Sequence, residues 1–294
     1  MPEPIRWEPK VLVSTENLTE QEWLAYRRRG IGGSDVAAIL GISPFRTARD
    51  LYDDKLNIAS AADDTGNWVA LEMGHLLEPL VAQIFTKKTG LEVFQIKKMF
   101  QHPQYHFMLA DVDYFVHLPN GKIALLEIKT TNYNAKDHWW KDGEECVPIY
   151  YETQGRHYMA VMDIDEIFYC CLYGNNEDEV IIRHLCRDRE YEQEMIYLEH
   201  EFWHDYILTR IPPPYTEDGS LILESLRRRL GAADKTIPAI RLDSDLSAVM
   251  LRYLSLQEQR QQVETQVKTL DTEMQRLKGQ MVAKLNGSCM AMGE

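Results

Sequence analysis

The stretch IALLEIKTT, residues 123–131, carries two charges where a strand ought to be apolar. Side chains alternate faces along a β-strand, so Ile123 and Leu125 share a side with Glu127 and Lys129, while Ala124, Leu126 and Ile128 fill the other. A strand apolar on both faces belongs in the interior of a sheet. Glu127 and Lys129 point the same way, their bases about 6.6 Å apart. An ionised carboxylate left unpaired in a dry core costs several kcal/mol, so Glu127 needs a partner. Taken alone, this strand is satisfied by a structural Glu–Lys pair at its end.

The preceding segment, LADVDYFV (109–116), changes that balance. It is apolar-rich and places Asp111 and Asp113 on one face of a strand. The intervening LPNG reads as a turn, so Asp113 is expected across from the 127–129 region. Carboxylates and an amine then converge on one patch. Oxygen ligands clustered without His or Cys suit Mg²⁺ or Mn²⁺ rather than zinc. Glu78, in GHLLEPLV (74–81), is a further carboxylate candidate, although most helix glutamates are simply solvated. Such a set matches phosphodiester hydrolysis. Two divalent ions about 3.5–4 Å apart activate water and stabilise the leaving oxygen. A lysine adds fixed positive charge where negative charge accumulates.

Composition leaves this open. The chain has 294 residues, 45% hydrophobic and 27% charged, as expected for an ordinary globular protein of one or two domains. Its net charge of −14 excludes a generic DNA-coating surface but not a local basic groove. No run approaches the roughly 18 apolar residues of a membrane span, and MPEPIRWEPK has no signal-peptide core. Cys146, Cys170, Cys171, Cys186 and Cys289 form no CxxC pair, which argues against a disulfide framework and for a reducing cytoplasm.

Along the chain, helices are expected at 19–29, 34–41, 47–57, 67–89, 148–163 and 189–209. Strands are expected at 92–99, 106–117, 122–130, 165–173 and 178–186. IPPPYTEDGS (211–220) stops the last helix. The reading is a domain at 1–213, a linker at 214–240 and a helical tail at 241–294. In the tail, Leu242, Leu246, Val249, Tyr253, Leu256, Val263, Val267, Leu270, Met274, Leu277 and Met281 recur at alternating 4,3 spacing, broken only by Arg260. That period predicts a coiled coil or antiparallel arm. The abrupt end at MAMGE after a long helix leaves room for a further segment.

With Asp113 followed by Glu127-x-Lys129 on the next strand, the chain resembles the PD-(D/E)xK nucleases, Val112 standing in the proline position. More narrowly, it resembles the YqaJ-type phage recombination exonucleases, relatives of the bacteriophage lambda exonuclease. The likeness spans about residues 20–215, through RRRGIGGSDVAAILG (27–41), GHLLEPLV, ADVDYFV, LLEIKTT, YYETQ (150–154) and FWHDYILTRIPPP (202–214). It implies an α/β core with a mixed central sheet flanked by helices, to which the helical tail is an addition. It also implies Glu78, Asp113, Glu127 and the Ile128 carbonyl as ligands of two Mg²⁺ ions, with Mn²⁺ a substitute. Lys129 would be the catalytic lysine, and Tyr151 and Gln154 would stand beside the scissile phosphate. Asp111 has no secure counterpart.

RRRGIGGSDVAAILG joins arginines to a glycine-rich turn, with Ser34 or Asp35 capping a helix. Amides at a helix start beside a guanidinium make a phosphate site, although capping alone accounts for the residues. The resemblance implies that Arg27 and Ser34 grip a terminal 5′-phosphate of DNA, with Arg28 and Arg29 as substitutes. It further implies 5′-to-3′ digestion of one strand of linear duplex and a 3′ single-stranded tail passed to a single-strand annealing protein. A ring, trimeric in this family, would do this in the cytoplasm of a phage-bearing bacterium.

Two other readings remain. DVAAILGISPFRTARDLY has the spacing of a helix-turn-helix, which with the heptad tail would make a dimeric regulator. His200-Glu201-x-x-His204 is a literal HExxH, the zinc-peptidase signature, but its Phe202 and Trp203 suit a packing helix.

Overall fold

The structure is a computed structural model that describes residues 6–58, 68–231, 236, 238–239, 241–285 and 288. Two compact units divide the chain, Met1–Ala233 and Asp234–Glu294. Cys289 and MAMGE lie outside the described residues.

In the first unit, β1 (Lys10–Ser14) and α1 (Glu20–Arg27) lead into β2 (Ile31–Gly32), α2 (Gly33–Ile39) and α3 (Ala48–Lys55). After α4 (Trp68–Thr89) come β3 (Val93–Phe94), β4 (Lys98–Gln101), β5 (Met108–Ala110), β6 (Tyr114–His117) and β7 (Ile123–Thr130). A small hairpin, β8 (Trp140–Lys141) and β9 (Glu144–Glu145), precedes α5 (Ile149–Met162). Then follow β10 (Glu166–Leu172), β11 (Val180–Cys186), α6 (Arg189–Glu201), a π-helical turn at Phe202–Ile207, and α7 (Gly219–Leu230).

IALLEIKT is the middle strand of a five-stranded sheet ordered β11-β10-β7-β6-β3. It runs parallel to β10 and antiparallel to β6. Its alternation partitions the core. Leu125 packs in one cluster with Met159, Tyr158 and Ile167, whereas Ala124, Leu126 and Ile128 pack in another with Val81, Ala82 and Phe85 of α4. The LPNG turn closes as expected: Leu118 and Lys122 are backbone-paired, and Gly121 takes φ +78°, open to glycine without a Cβ penalty.

Two expected strands are each split. Residues 92–99 become β3 and β4, and 106–117 become β5 and β6, the members of each pair lying in different sheets. β4 and β5 belong to a second sheet ordered β1-β4-β5-β2. The chain therefore changes sheets at Asp111–Val112–Asp113, and the two aspartates do not share one continuous strand face. Residues 214–240 are not wholly linker either. Asp218 caps α7 by accepting from the Ser220 amide, Leu221 is buried, and Ser225 and Arg228 bind Asp50. A cap and one apolar anchor restart a helix five residues beyond the prolines.

The second unit contains α8 (Ser244–Leu285), 42 residues long. Every apolar residue of the heptad stripe is exposed. Among the described residues, no helix is long and apolar enough to cross a membrane.

Candidate functional site

β7, β6, α4 and α5 converge on a cleft of about 700 Å³ lined by Glu78, Asp113, Glu127, Ile128, Lys129 and Gln154. Arg27, Ser34, Trp23 and Asp111 line the same cleft. Tyr151 does not line it directly; its ring lies 4.8 Å from Lys129 Nζ and backs the lysine.

The β6–β7 register aligns Tyr114 with Leu126, so Asp113 comes beside the Glu127–Ile128 step. Its Oδ2 accepts a hydrogen bond from the Ile128 amide at 2.8 Å. Glu127, 2% exposed, accepts at Oε1 from Lys129 Nζ at 2.6 Å and from the Gln154 amide. Lys129 also donates to Gln154 Oε1 at 3.1 Å, closing a triangle of lysine, glutamate and glutamine. Glu127 Oε2 is buried without a hydrogen-bond partner. Glu78 reaches the cleft from α4 and accepts from Gln95 Nε2 at 3.3 Å, which also donates to the Asp113 carbonyl.

Burial, then the charge of Glu127, holds the Asp113 carboxyl well above the usual carboxylate range. Burial also raises Glu127, although Lys129 opposes it, and raises Glu78, with Glu127 adding to the effect. Lys129 is held above its ordinary value: burial works against its charge, but Glu127 and Asp113 prevail. Three acidic groups that resist ionisation together, one with a bare buried oxygen, form a donor set that a cation would relieve. Hard oxygens of this kind fit Mg²⁺ or Mn²⁺. Among the described residues, no group of three or more His, Cys, Asp or Glu side chains stands ready-arranged to hold a metal. The amine and amides occupy part of the carboxylates' capacity.

Arg27 Nη2 donates to Ser34 Oγ and, at 2.8 Å, to Asp35 Oδ1. Neither Ser34 nor Asp35 is the N-cap, which is Gly32; Asp35 instead reaches back from the first turn to the Gly32 amide at 2.9 Å. Asp111 accepts from Trp23 Nε1 at 2.7 Å, tying α1 to the strand break. Sequence reasoning missed Gln95, Arg46 and Lys55, whose roles rest on partners far along the chain.

The geometry disfavours both rival motifs. α2 and α3 are separated by residues 40–47, more than the 3–4-residue turn of a helix-turn-helix, and α3 buries Leu51, Tyr52 and Lys55. The His200 and His204 rings stack face to face at 4.0 Å, with Phe107 edge-on to both. That is packing geometry rather than two nitrogens converging on zinc.

Known proteins give the same frame. The chain is 20% identical to LHK-Exo, an alkaline exonuclease from Laribacter hongkongensis crystallised with dAMP; the match covers 71% of this chain and 97% of that one, with a TM-score of 0.52. At that identity the likeness shows the fold. A protein of Bacillus subtilis, the uncharacterized YqaJ, is 32% identical over 268 residues, covering 90% of this chain and 80% of its own length. The YqaJ-like viral recombinase domain profile matches residues 22–165, from the helix before the arginine run to the end of α5 and the turn beyond it. On this match and the Bacillus relative, the chain belongs to the YqaJ-like viral recombinase family.

Proposed function

We propose that this protein is a divalent-metal-dependent exodeoxyribonuclease that digests one strand of linear duplex DNA from its 5′ end. The observation that carries the reading is Glu127: a buried carboxylate with one oxygen bound to Lys129 and Gln154 and the other without a partner, beside Asp113 and sharing one cleft with Glu78. Glu78, Asp113, Glu127 and the Ile128 carbonyl would hold two Mg²⁺ ions, or Mn²⁺ in their place. Bound there, the ions would activate water and neutralise charge on the leaving oxygen.

The chain's own residues do the rest. Lys129, braced by Glu127, Gln154 and the Tyr151 ring, presents a fixed ammonium where phosphoryl charge develops. Gln154 holds both partners and sets their spacing. Arg27 and Ser34, in the same cleft, would take a terminal phosphate and so fix the strand end and the polarity. The name of the alkaline exonuclease neighbour, and its dAMP complex, support mononucleotide release. The product, a 3′ single-stranded tail, suits recombination by a single-strand annealing protein. A homo-oligomeric ring, trimeric by the resemblance, would keep the −14 exterior away from DNA held in its centre.

The test is a 5′-phosphorylated linear duplex with Mg²⁺, comparing wild type, Glu127→Ala and Lys129→Ala. Wild type is expected to release mononucleotides, and each variant to lose activity by roughly 10²-fold or more. Undiminished digestion by both variants overturns the site; preference for closed circles overturns the exonuclease. Sequence-specific binding without metal-dependent cleavage would instead support a regulator.

A further inference from the structure

The charge cluster behind Arg27 lies outside the proposed hydrolytic machinery. Asp35 is fully buried. Its Oδ1 accepts from Arg27 at 2.8 Å and from Arg46 Nη2, and its Oδ2 faces Lys55 Nζ at 2.6 Å and the Gly32 amide at 2.9 Å. The Lys55 side chain is 0% exposed and also donates to the Arg27 carbonyl at 3.1 Å. One carboxylate thus organises three cations from three segments, while Asp54, about a third exposed, pairs with Arg28 at 3.2 Å and lies 3.8 Å from Arg46. Only Arg27 of the three cations lines the cleft, where it meets Ser34.

We propose that Asp35 is a positioning residue: without touching DNA, it sets selectivity for a 5′-phosphoryl end by clamping Arg27 in place, with Lys55 as its buried counterweight. This rests on the nuclease reading above. A guanidinium held at one nitrogen by a buried carboxylate keeps its remaining N–H groups in a fixed direction, so little rotamer entropy is lost when phosphate arrives. Lys55 fixes the same residue a second time, through the Arg27 backbone. Its surplus positive charge also keeps Asp35 from cancelling Arg27.

The sign of the effect separates positioning from plain electrostatics. Deleting a negative charge next to a phosphate-binding arginine ought to strengthen anion binding by Coulomb's law alone. Positioning predicts weaker binding, because Arg27 and Arg46 would repel and disperse. A purely structural ion cluster predicts lost stability with unchanged end selectivity.

The experiment uses the full chain with Mg²⁺ and measures kcat and KM on linear duplexes carrying 5′-phosphoryl or 5′-hydroxyl ends. Asp35→Asn and Lys55→Met are compared with wild type, each with a thermal melt. The expected result is a KM for phosphoryl ends raised roughly tenfold in either variant, kcat nearly unchanged, and the preference over hydroxyl ends falling toward parity. Asp35→Glu should restore part of the preference. Should Asp35→Asn fail to fold, Lys55→Met carries the test by the same readout. Tighter phosphoryl-end binding, or a preference equal to wild type in folded variants, overturns the proposal. Wild type that digests duplex without preferring phosphoryl ends also overturns it; wild type with no digestion at all shows instead that the nuclease reading beneath it has failed.

Discussion

Asp113 and Glu127 are neighbours whose charges oppose each other, and burial makes the opposition costly. Ionising both carboxyls there would cost the folded chain stability that a bound cation would return. Asp113→Asn keeps an acceptor for the Ile128 amide and removes one charge. In metal-free buffer the variant is expected to melt no lower than wild type, and by a few degrees higher. Activity should fall roughly 10²-fold or more, and Mg²⁺ should raise the wild-type melting temperature more than the variant's. A variant that melts lower without metal, or gains as much from Mg²⁺, contradicts the strained-carboxylate account. Outside the lining of the cleft, His102 offers a separate pH dependence. It is 1% exposed, its Nδ1 accepts the Gln104 and Tyr105 amides, and its Nε2 has no partner. Burial, with help from His157 and Arg187, depresses it from 6.5 to about 4. The unfolded chain therefore takes up a proton below about pH 6.5 that the folded chain refuses until about pH 4, so stability present above that window is lost as pH falls through it. Urea midpoints of wild type should drop more steeply across the window than those of His102→Gln; parallel slopes would show that other groups govern the acid side.

At the scale of elements, α8 is the clearest unfinished surface. Its 4,3 stripe runs the length of the helix with every apolar member exposed, and Arg260 is the single break. Arg260 is engaged by Glu264 at 2.8 Å on its own helix. A strict seven-residue period serves a supercoil with another helix rather than a flat packing face. We expect Arg260→Leu to raise the melting temperature of the helical signal and to make it rise with protein concentration. A midpoint indifferent to dilution, in wild type and variant alike, would assign the stripe to contacts within one chain. Elements such as this, and β7, were legible because their information is local: a 4,3 period, a two-faced apolar run, a Pro-Asn-Gly turn, Thr19 and Thr47 before their helices. The splits at 94–98 and 110–114 were not, since both halves read as extended and only their partners, β4 with β1 and β6 with β7, decide the sheet. The Pro-rich stop at 211–214 likewise hid the Asp218 cap that restarts the chain as α7. In the site, Asp113, Glu127 and Lys129 could be paired by counting across one turn. Gln95 beside Glu78, and Arg46 and Lys55 on Asp35, depend on tertiary approach, and no spacing marks them.

For the whole molecule, the net charge of −14 and a role on DNA are compatible only if most acidic surface faces away from the substrate. Closure of several copies around a duplex is the proposed way to arrange this, and it requires a self-association surface. α4 carries a candidate in its first turns. Val69, Met73, Leu76 and Leu80 repeat at 4,3,4 spacing and are all exposed, Leu76 by 65%. Trp68 at the helix start is also exposed, at 70%, whereas Leu71 lies on the other side of the helix and lines the cleft. Contiguous apolar surface of this kind marks an interface more often than a solvated face. The stripe shares its helix with Glu78, so covering it would also steady a carboxylate of the cleft. Leu76→Glu together with Met73→Glu is therefore expected to lower the mass of the full-length protein in sedimentation equilibrium, toward a single chain if this is the main contact. The folded first unit should persist, since neither side chain belongs to a buried cluster. The number of nucleotides released per binding event should fall below that of wild type. A double variant of unchanged mass and unchanged release per binding event would place the association elsewhere, and α8 would become the element to test.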